Sequence, residues 1–232
     1  MAGKAERPRH VALIPDGNRR WARREGKRVI EGHAAGIDNL GNLLKWCREA
    51  KVKTLTAWGF STENFERPAS EVRELMRLFE RKLSEAEDRN EVHKYKIRLR
   101  VLGDLEKFPE RVRKMIRELE GKTAGYDKYE LNLLLGYGGR QELVAAVNRA
   151  LASGRKRVDE KSFRQFLWSG ALSSDPDLVI RTSGEMRTSG FLPWQSTYSE
   201  YYVSKKLWPD FRRADFRKAL AEYARRKRRF GK

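Results

Sequence analysis

The sequence predicts an α/β fold, in which helices flank a largely parallel central sheet within a single domain. Short apolar runs alternate with amphipathic helical patterns along the chain, an order of elements that is typical of parallel sheets. The length of 232 residues suits one compact domain. No repeat, low-complexity linker or hinge rich in Pro, Gly and Ser divides the sequence. We therefore assign residues 1–232 to one domain.

Five apolar runs are the predicted strands, and two patterns between them are the clearest predicted helices. The strands cover residues 10–15, 52–60, 96–102, 130–136 and 177–181. Apolar residues recur every three or four positions in residues 72–86 and again in residues 112–119, so each segment has one apolar helical face. Ser70 predicts the start of the first helix, whereas Pro109 and Gly121 predict the two ends of the second.

The chain is strongly basic, with 51 Lys and Arg against 32 Asp and Glu and a net charge of +19. The excess is concentrated near both ends. Residues 1–28 hold nine basic and three acidic residues, and residues 212–232 hold ten and two. This distribution predicts an anionic partner: nucleic acid, an anionic membrane surface, or a diphosphate bound between the termini. Charge alone leaves these three open.

The hydropathy pattern predicts a cytoplasmic protein. No apolar run approaches the roughly 18 to 20 residues that span a bilayer, and the first ten residues lack the apolar stretch of a signal peptide. Any contact with a membrane would then be peripheral.

The segment after the first predicted strand suits an anionic ligand, because ligands of open α/β sheets collect at the carboxyl ends of the strands. In residues 15–21 (PDGNRRW), the carboxylate of Asp16 precedes Gly17, which lets the backbone approach a ligand, and Arg19 and Arg20 then enter a helix. Such a site suits a magnesium diphosphate. The alternative is an Asp-Gly-Asn turn followed by a solvated basic helix.

Two further polar segments follow predicted strands. Residues 59–68 (GFSTENFERP) interleave polar and aromatic side chains, which suits a ligand with a polar head and an apolar tail, although a helix-capping loop has the same composition. Residues 181–190 (RTSGEMRTSG) place two arginines in a Gly/Ser-rich loop, as a phosphate site requires. Neither a Walker motif nor G-x-G-x-x-G occurs, so nucleotide binding has no motif to support it.

The most specific signal is a set of six segments in the order of one known family. They are HVALIPDGNRRWA, GFSTENFERPASEV, IRLRVLGD, LNLLLGYGGR, DPDLVIRTSGEMRTSGFLPWQSTYSEYY and the closing RRFG. Together they resemble the undecaprenyl diphosphate synthase family of cis-prenyltransferases over residues 10–231. The DDxxD clusters of the all-helical trans-type prenyl synthases are absent from the sequence.

The resemblance implies a cis-prenyltransferase fold with a hydrophobic tunnel. The implied reaction is sequential condensation of isopentenyl diphosphate with an allylic primer, farnesyl or geranylgeranyl diphosphate. The product would be a long-chain polyprenyl diphosphate, the precursor of a glycosyl carrier lipid. The resemblance further implies Mg²⁺ as cofactor, a homodimer, peripheral membrane contact for product release, and no nucleic acid.

Residue roles carry over from the family position by position. Asp16 would act in catalysis and bind Mg²⁺, and Asn64 would accept the proton. The allylic diphosphate site would contain Gly17, Asn18, Arg19, Arg20, Trp21 and His33. Further substrate contacts would come from Ser61, Thr62, Glu63, Phe65 and Arg67, and the isopentenyl diphosphate site would contain Arg181, Arg187, Thr188 and Ser189. Glu200 would be the second magnesium carboxylate, and the R-x-G element, with Arg229 and Gly231, would reach the isopentenyl diphosphate site of a partner subunit.

Three positions depart from the family pattern. The arginine expected four positions before His33 is Val29, and Arg28 is the candidate replacement. The usual asparagine of the Ser-Asn-Phe-Leu run is Gly190, and Pro193 interrupts the FLPWQ stretch in a manner associated with archaeal members. We therefore expect a primer preference different from that of the bacterial enzymes.

Alternation in residues 129–135 predicts that Tyr129, Leu131, Leu133 and Leu135 share one face of a strand. The resemblance implies that this strand borders the tunnel and that Tyr129 lies toward its floor. The alternative is an ordinary core tyrosine whose hydroxyl is hydrogen-bonded.

Two other functions remain open at this level. A basic RNA-binding protein is favoured only by charge; it would bind nucleic acid in a salt-sensitive manner and gives no role to Asp16, Glu63 and Glu200. A noncatalytic subunit of a two-component prenyltransferase would keep the fold but lose the metal carboxylates, whereas both Asp16 and Glu200 are present.

Overall fold

The centre of the molecule is a six-stranded parallel sheet. The computed structural model describes residues 7–88 and 91–226. The strand order is β3-β4-β2-β1-β5-β6, and every pairing is parallel. The strands are β1 (His10–Ile14), β2 (Thr54–Ser61), β3 (Ile97–Leu102), β4 (Tyr129–Tyr137), β5 (Leu178–Arg181) and β6 (Glu200–Val203). The predicted α/β class with a largely parallel sheet is confirmed.

Strand β6 is the one strand of this sheet that sequence analysis missed. Its four residues, EYYV, are all half-buried, because the strand pairs only with β5 at the edge of the sheet. A short edge strand of this kind lacks the continuous apolar run by which the other strands were recognised.

Helices surround the sheet and connect its strands. They are α1 (Asn18–Arg24), α2 (Val29–Glu49), α3 (Ala69–Asp88), α4 (Glu91–Lys94), α5 (Glu110–Thr123), α6 (Gly139–Ala152), α7 (Glu160–Arg164) and α8 (Arg213–Arg225), with 3-10 helices at Thr62–Glu66, Trp168–Ala171 and Trp208–Asp210. Pro109 caps α5 as predicted. The helix ends two residues beyond Gly121, the predicted end signal. The helix continues to Thr123, whose buried Oγ1 donates to the carbonyl of Leu119 at 2.9 Å.

Two apolar clusters hold the layers together. The larger one lies between one face of the sheet and helices α2, α3, α5 and α8, and it takes up Tyr129, Leu131, Leu133 and Leu135 of β4. The predicted shared face of β4 is therefore confirmed. The smaller cluster covers the opposite face, where Leu134 of β4 packs with Phe191 and other residues of the segment after β5.

The predicted hydrophobic tunnel remains a prediction. Beside the carboxyl end of β2, the interior contains four phenylalanines packed edge to face or tilted, with ring centroids 4.8 to 6.3 Å apart: Phe60, Phe65, Phe79 and Phe108. No helix in the described part of the chain is long and apolar enough to cross a membrane.

A buried carboxylate fixes the segment that follows β5. Glu142 of α6 is fully buried and accepts hydrogen bonds from the Tyr137 hydroxyl at 2.5 Å and from the Ser169 backbone N–H at 2.7 Å. Gln195 donates to the Ser169 hydroxyl at 2.5 Å. Because buried polar groups are costly when unpaired, this network ties the start of α6 to the segment that carries the predicted phosphate loop.

Candidate active site

A polar pocket lies where β1 and β2 end, at the carboxyl edge of the sheet. Its volume is about 350 Å³, and it is lined by Pro15, Asp16, Gly17, Asn18, Arg19, Arg20, Arg23, His33 and Arg67. Four arginines and a single carboxylate make this a site for an anion. Six of the seven residues of the 15–21 segment line the pocket, and Trp21 does not.

The loop between β1 and α1 is held in place by its backbone. Gly17 adopts the left-handed conformation at φ 113° and caps α1, and a side chain here would meet Leu207 at 3.0 Å. The carbonyl of Asp16 accepts the Thr182 hydroxyl at 2.7 Å and the Trp208 backbone N–H at 3.0 Å. Glycine is therefore required for the turn that presents Asp16 to the pocket.

The carboxylate of Asp16 joins the pocket to the phosphate loop after β5. Its Oδ1 accepts from Arg20 at 3.3 Å, and its Oδ2 accepts from Arg181 at 3.0 Å. The Arg181 side chain is only 6% exposed and also donates to Ser189 Oγ at 3.0 Å and to the carbonyl of Arg187. The two predicted diphosphate sites thus meet at one ion pair.

Asn18 and His33 bring unsatisfied polar atoms to the pocket. Asn18 Oδ1 and His33 Nε2 are buried and have no hydrogen-bond partner within the described residues. Burial, helped by the charges of Arg67 and Arg19, lowers the pKa of His33 to about 4, so the ring is neutral at pH 7. Because such atoms are costly when unpaired, both point to a polar ligand.

Two small residues of α2 allow Asn18 to sit where it does. A Cβ on Gly36 would lie 2.4 Å from Asn18 Oδ1, and one on Gly32 would lie 2.3 Å from the Asn18 carbonyl. Contacts this short do not occur in folded proteins. The EGHAAG segment therefore serves close packing of α1 on α2, in addition to supplying His33.

The segment after β2 presents a mixed set of groups. Arg67 reaches the pocket and pairs with Glu71 at 3.2 Å, and burial lowers its pKa. Thr62 Oγ1 is buried without a partner among the described residues.

The remaining predicted residues of this segment have partners within the protein. Asn64 Oδ1 accepts the Ser61 backbone N–H at 3.1 Å and so caps the 3-10 helix. Exposed Glu63 accepts from Gln141 at 3.5 Å, and Phe65 packs in the phenylalanine cluster.

Glu185 and Arg23 are site residues that sequence analysis missed. Glu185 lies between the two sites, since its Oε1 accepts from Arg20 at 3.4 Å and its Oε2 accepts from Arg187 at 2.6 Å. Arg23 lines the pocket one helical turn after Arg19. The sequence does hold a signal for Arg23, because a residue four positions after Arg19 lies on the same face of the helix. Thr188, the remaining predicted residue of the loop, is exposed next to Arg187.

Several predicted site residues lie elsewhere. The Trp21 indole donates to Asp210 at 3.0 Å, and Arg28 caps α2 with its side chain on Glu31. Glu200 pairs with Leu178 at the start of β5 and accepts from Arg226 at 2.8 Å. Arg229 and Gly231 lie outside the described residues.

The placement of Glu200 separates the two expected magnesium carboxylates within one chain. Val11 is in register with Leu178, and Leu178 with Glu200, whereas Asp16 follows the far end of β1. Glu200 is level with Val11, and the three residues from Val11 to Ile14 already span roughly 10 Å along the strand. Asp16 lies beyond Ile14, so the two carboxylates lie at opposite ends of the strands. In the described part of the chain no group of three or more His, Cys, Asp or Glu could hold a metal ion. One carboxylate beside an anion pocket fits Mg²⁺ bound through a diphosphate, because Mg²⁺ commonly takes one or two carboxylates and completes its shell with phosphates and water.

Sheet, pocket and buried ion pair define an α/β protein that binds multiply charged anions at the carboxyl edge. A family model for undecaprenyl diphosphate synthase matches residues 14–231. An isoprenyl transferase of Thermotoga maritima is 46% identical over 228 residues, with 97% of each chain covered. A geranylgeranyl-diphosphate-specific tritrans,polycis-undecaprenyl-diphosphate synthase of Methanocaldococcus jannaschii is 44% identical and covers 97% of this chain and 83% of its own length.

Solved structures agree with the sequence relatives. Lavandulyl diphosphate synthase from Lavandula x intermedia, in complex with dimethylallyl diphosphate, superimposes with a TM-score of 0.91 at 36% identity and covers 97% of this chain and 98% of its own. The chain belongs to the undecaprenyl diphosphate synthase family, and it is a cis-prenyltransferase.

The packing of Gly36 on Asn18 predicts a kinetic defect in Gly36→Ala. The added methyl group must displace the Asn18 side chain, so we expect kcat/KM for the allylic primer to fall by about tenfold or more, because small misplacements of binding groups are costly. Gly41→Ala is the matched control in the same helix. Nothing lies within 4 Å of its new Cβ, and it should keep wild-type kinetics. Wild-type kinetics in Gly36→Ala would show that the position of Asn18 does not matter.

Proposed function

We propose that the chain extends farnesyl or geranylgeranyl diphosphate with isopentenyl diphosphate to a long-chain polyprenyl diphosphate, the precursor of a glycosyl carrier lipid. The observation that carries this proposal is the ion pair between Asp16 and Arg181, which joins two arginine-rich loops at one edge of the sheet. Two diphosphates bound on either side of this pair would have their reacting carbons close together. Such proximity is a major source of rate in a reaction between two substrates.

The primer would bind in the pocket with its diphosphate against Arg19, Arg20 and Arg23. As the allylic carbon–oxygen bond breaks, its electron pair passes to the diphosphate, and these guanidinium groups stabilise the growing negative charge. Asn18 and neutral His33 would add hydrogen bonds to the same group. The burial of His33, which lowers the pKa of its ring, would strengthen each of these interactions.

Isopentenyl diphosphate would bind at the neighbouring loop, to Arg187 and Ser189, with Arg181 between the two sites. Its double bond attacks the allylic carbon, and a proton then leaves the adjacent carbon to restore a double bond. Asn64 is a weak base, and its Oδ1 is already engaged by the Ser61 N–H. The departing diphosphate or Asp16 is therefore an alternative proton acceptor.

Asp16 would hold Mg²⁺ together with the oxygens of a bound diphosphate, and Asn18 lines the same pocket. Bound there, the ion would neutralise charge on the diphosphate leaving group. The contact of Asp16 with Arg20, at 3.3 Å, is longer than its contact with Arg181, at 3.0 Å, so Asp16 would turn from Arg20 more readily than from Arg181.

Geranylgeranyl diphosphate is the primer favoured by the archaeal relatives, whose names specify it. The resemblance associates Pro193 with archaeal members, which supports the same choice for this chain. Gly190 has a left-handed backbone at φ 82°, and both residues pack against Gly139 at the start of α6, where a Cβ would meet the Gly190 carbonyl at 2.1 Å. These contacts set the course of the phosphate loop relative to the sheet.

A homodimer is the assembly we propose, formed through the outer face of α6. Val144, Val147 and Leu151 form a stripe on this face and are 62%, 47% and 68% exposed. Their spacing of three and four residues is that of a helical contact surface. A second copy of the same stripe would cover this apolar surface. The family role of Arg229 and Gly231, which act on a partner subunit, supports the same assembly.

Product release gives a reason for peripheral membrane contact. Each buried CH₂ group contributes roughly 0.8 kcal/mol, so an isoprene unit contributes roughly 3 to 4. A long product would leave slowly into water, and a bilayer would accept it. The cytoplasmic location predicted from the sequence is compatible with such contact.

Activity is tested with radiolabelled isopentenyl diphosphate and several allylic primers, with the products sized after dephosphorylation. We expect geranylgeranyl or farnesyl diphosphate to be extended, and Asp16→Ala and Asp16→Asn to lose nearly all turnover while remaining folded. Asp38→Ala, which removes an exposed carboxylate paired with Lys82, is the control. More than half of wild-type activity in either Asp16 variant at saturating magnesium would contradict the role of Asp16.

The exposed stripe of α6 predicts that a charge there dissociates the dimer. Val147→Asp should shift the sedimentation coefficient from dimer to monomer, because an uncompensated carboxylate would be buried at the interface. Val158→Asp changes an apolar residue that is also partly exposed but lies beyond α6, and it should leave the dimer intact. A wild-type chain that sediments as a monomer would refute the assembly.

The place of Tyr129 predicts control of product length. The ring packs at the start of β4 against the larger core, so Tyr129→Ala should open space for further isoprene units and lengthen the product with little change in primer affinity. Tyr129→Phe keeps the ring and should leave product length unchanged. If Tyr129→Ala only lowers stability, by about 3 kcal/mol, with unchanged products, Tyr129 is an ordinary core residue.

A further inference from the structure

The amino edge of the sheet carries a row of basic residues. The residue immediately before each of four adjacent strands is a cation: Lys96 before β3, Lys128 before β4, Lys53 before β2 and Arg9 before β1. All four are exposed. Neighbouring strands are about 4.8 Å apart, so the four residues span roughly 14 Å. We call these four residues the amino-edge row.

Backbone hydrogen bonds continue the sheet register through this row. Lys53 N donates to the Arg9 carbonyl at 2.9 Å, and the Lys53 carbonyl accepts from Glu130 at 2.9 Å. The Lys96 carbonyl accepts from Tyr129 at 3.4 Å, and Lys53 Nζ donates to the Lys128 carbonyl at 3.4 Å. The row is therefore part of the rigid sheet and not a set of independent surface side chains.

Charge in this region is poorly compensated. Within residues 7–88 and 91–226, none of the three lysines of the row forms an ion pair with a carboxylate. The acids at this edge are Asp127, Glu130, Asp177 and Glu200. Glu130 pairs with Arg100 and Glu200 with Arg226, and Asp177 accepts the backbone N–H groups of Arg9 and His10. Like charges on neighbouring strands destabilise a sheet, so an anionic partner would offset this cost.

Two of the three lysines of the row, Lys96 and Lys53, lie near a tyrosine ring. Lys96 is 4.7 Å from the ring centroid of Tyr126, and Lys53 is 5.4 Å from that of Tyr129. Nearby, the exposed Lys94 is 5.4 Å from the ring of Tyr95. Nucleic-acid surfaces use open aromatic faces on which bases stack. Here ammonium groups stand over the rings, and lysine with tyrosine is the combination found at membrane interfaces.

We propose that the amino-edge row is a docking surface for an anionic phospholipid bilayer. A row of exposed basic side chains along one edge of the sheet suits the phosphate groups of a flat headgroup layer, because each basic residue near an anionic surface adds to the attraction. The row lies at the end of the strands opposite Asp16. The benefit to catalysis rests on the proposed function: a primer anchored at the carboxyl edge with its tail directed toward Tyr129 would have that tail nearest the membrane.

The test is co-sedimentation of the full chain with vesicles of phosphatidylglycerol or of phosphatidylcholine at about 0.1 M salt. The edge variant combines Lys53→Glu, Lys96→Glu and Lys128→Glu. Its control combines Lys156→Glu, Arg157→Glu and Lys161→Glu, which changes the net charge equally at three exposed residues around the loop before α7. We expect the wild type and the control to bind phosphatidylglycerol vesicles and the edge variant to bind about tenfold or more weakly.

Three outcomes would overturn the proposal. In the first, the wild type binds neither kind of vesicle. In the second, the control loses as much binding to phosphatidylglycerol vesicles as the edge variant does. In the third, single-stranded RNA displaces the wild type from the vesicles and binds the edge variant more weakly than it binds the wild type. Prenyltransferase activity with a short primer in detergent separates this proposal from the proposed function. The edge variant should retain that activity. A wild-type chain that lacks prenyltransferase activity but binds vesicles through the row would contradict the proposed function and still support the docking surface.

Discussion

The ion pair between Asp16 and Arg181 is the constraint on which the rest of the site depends. The two residues are 165 positions apart in sequence, and they meet because β1 and β5 are neighbours in the parallel sheet, with Ile14 in register with Arg181. Low exposure of Arg181 leaves it few alternative partners and strengthens the contact. Through this pair the loop after β1 and the loop after β5 take up a single relative position, so that the two proposed diphosphate sites share one boundary.

Around this pair, the charged arginines and the neutral ring of His33 both suit an anion. Arginines supply permanent positive charge, because the guanidinium group stays protonated in proteins. His33 lies among Arg19 and Arg67, and burial together with these charges holds its pKa near 4. It therefore offers the pocket an unpaired ring nitrogen without further repulsion between cations. Glu185 bridges Arg20 and Arg187, so the guanidinium groups of both loops are held in place when no phosphate engages them.

Parallel pairing gives the sheet two unlike edges. Every strand ends at the carboxyl edge, where short polar loops, the N-terminus of α1 and the arginine pocket come together. Every strand begins at the amino edge, where the chain returns from helices and where Arg9, Lys53, Lys96 and Lys128 form a row. An antiparallel sheet would mix both kinds of loop at each edge. This topology therefore places the arginine pocket and the proposed docking surface at opposite edges of the sheet.

The sequence by itself determined the fold class, five of the six strands, the predicted loops that meet at Asp16, and the family. Strong apolar periodicity and contiguous motifs are local properties, so they can be recognised without knowledge of the tertiary structure. Contacts across the fold could not be predicted in this way. The structure alone placed Glu200 at the opposite end of the strands from Asp16, turned Trp21 to Asp210, engaged Asn64 in a helix cap and brought Glu185 between Arg20 and Arg187. The placements of Glu200, Trp21 and Glu185 depend on how the fold brings together residues that are far apart in sequence. The Asn64 cap is instead a local contact with Ser61, three residues away, and it matches the capping alternative that the sequence had left open.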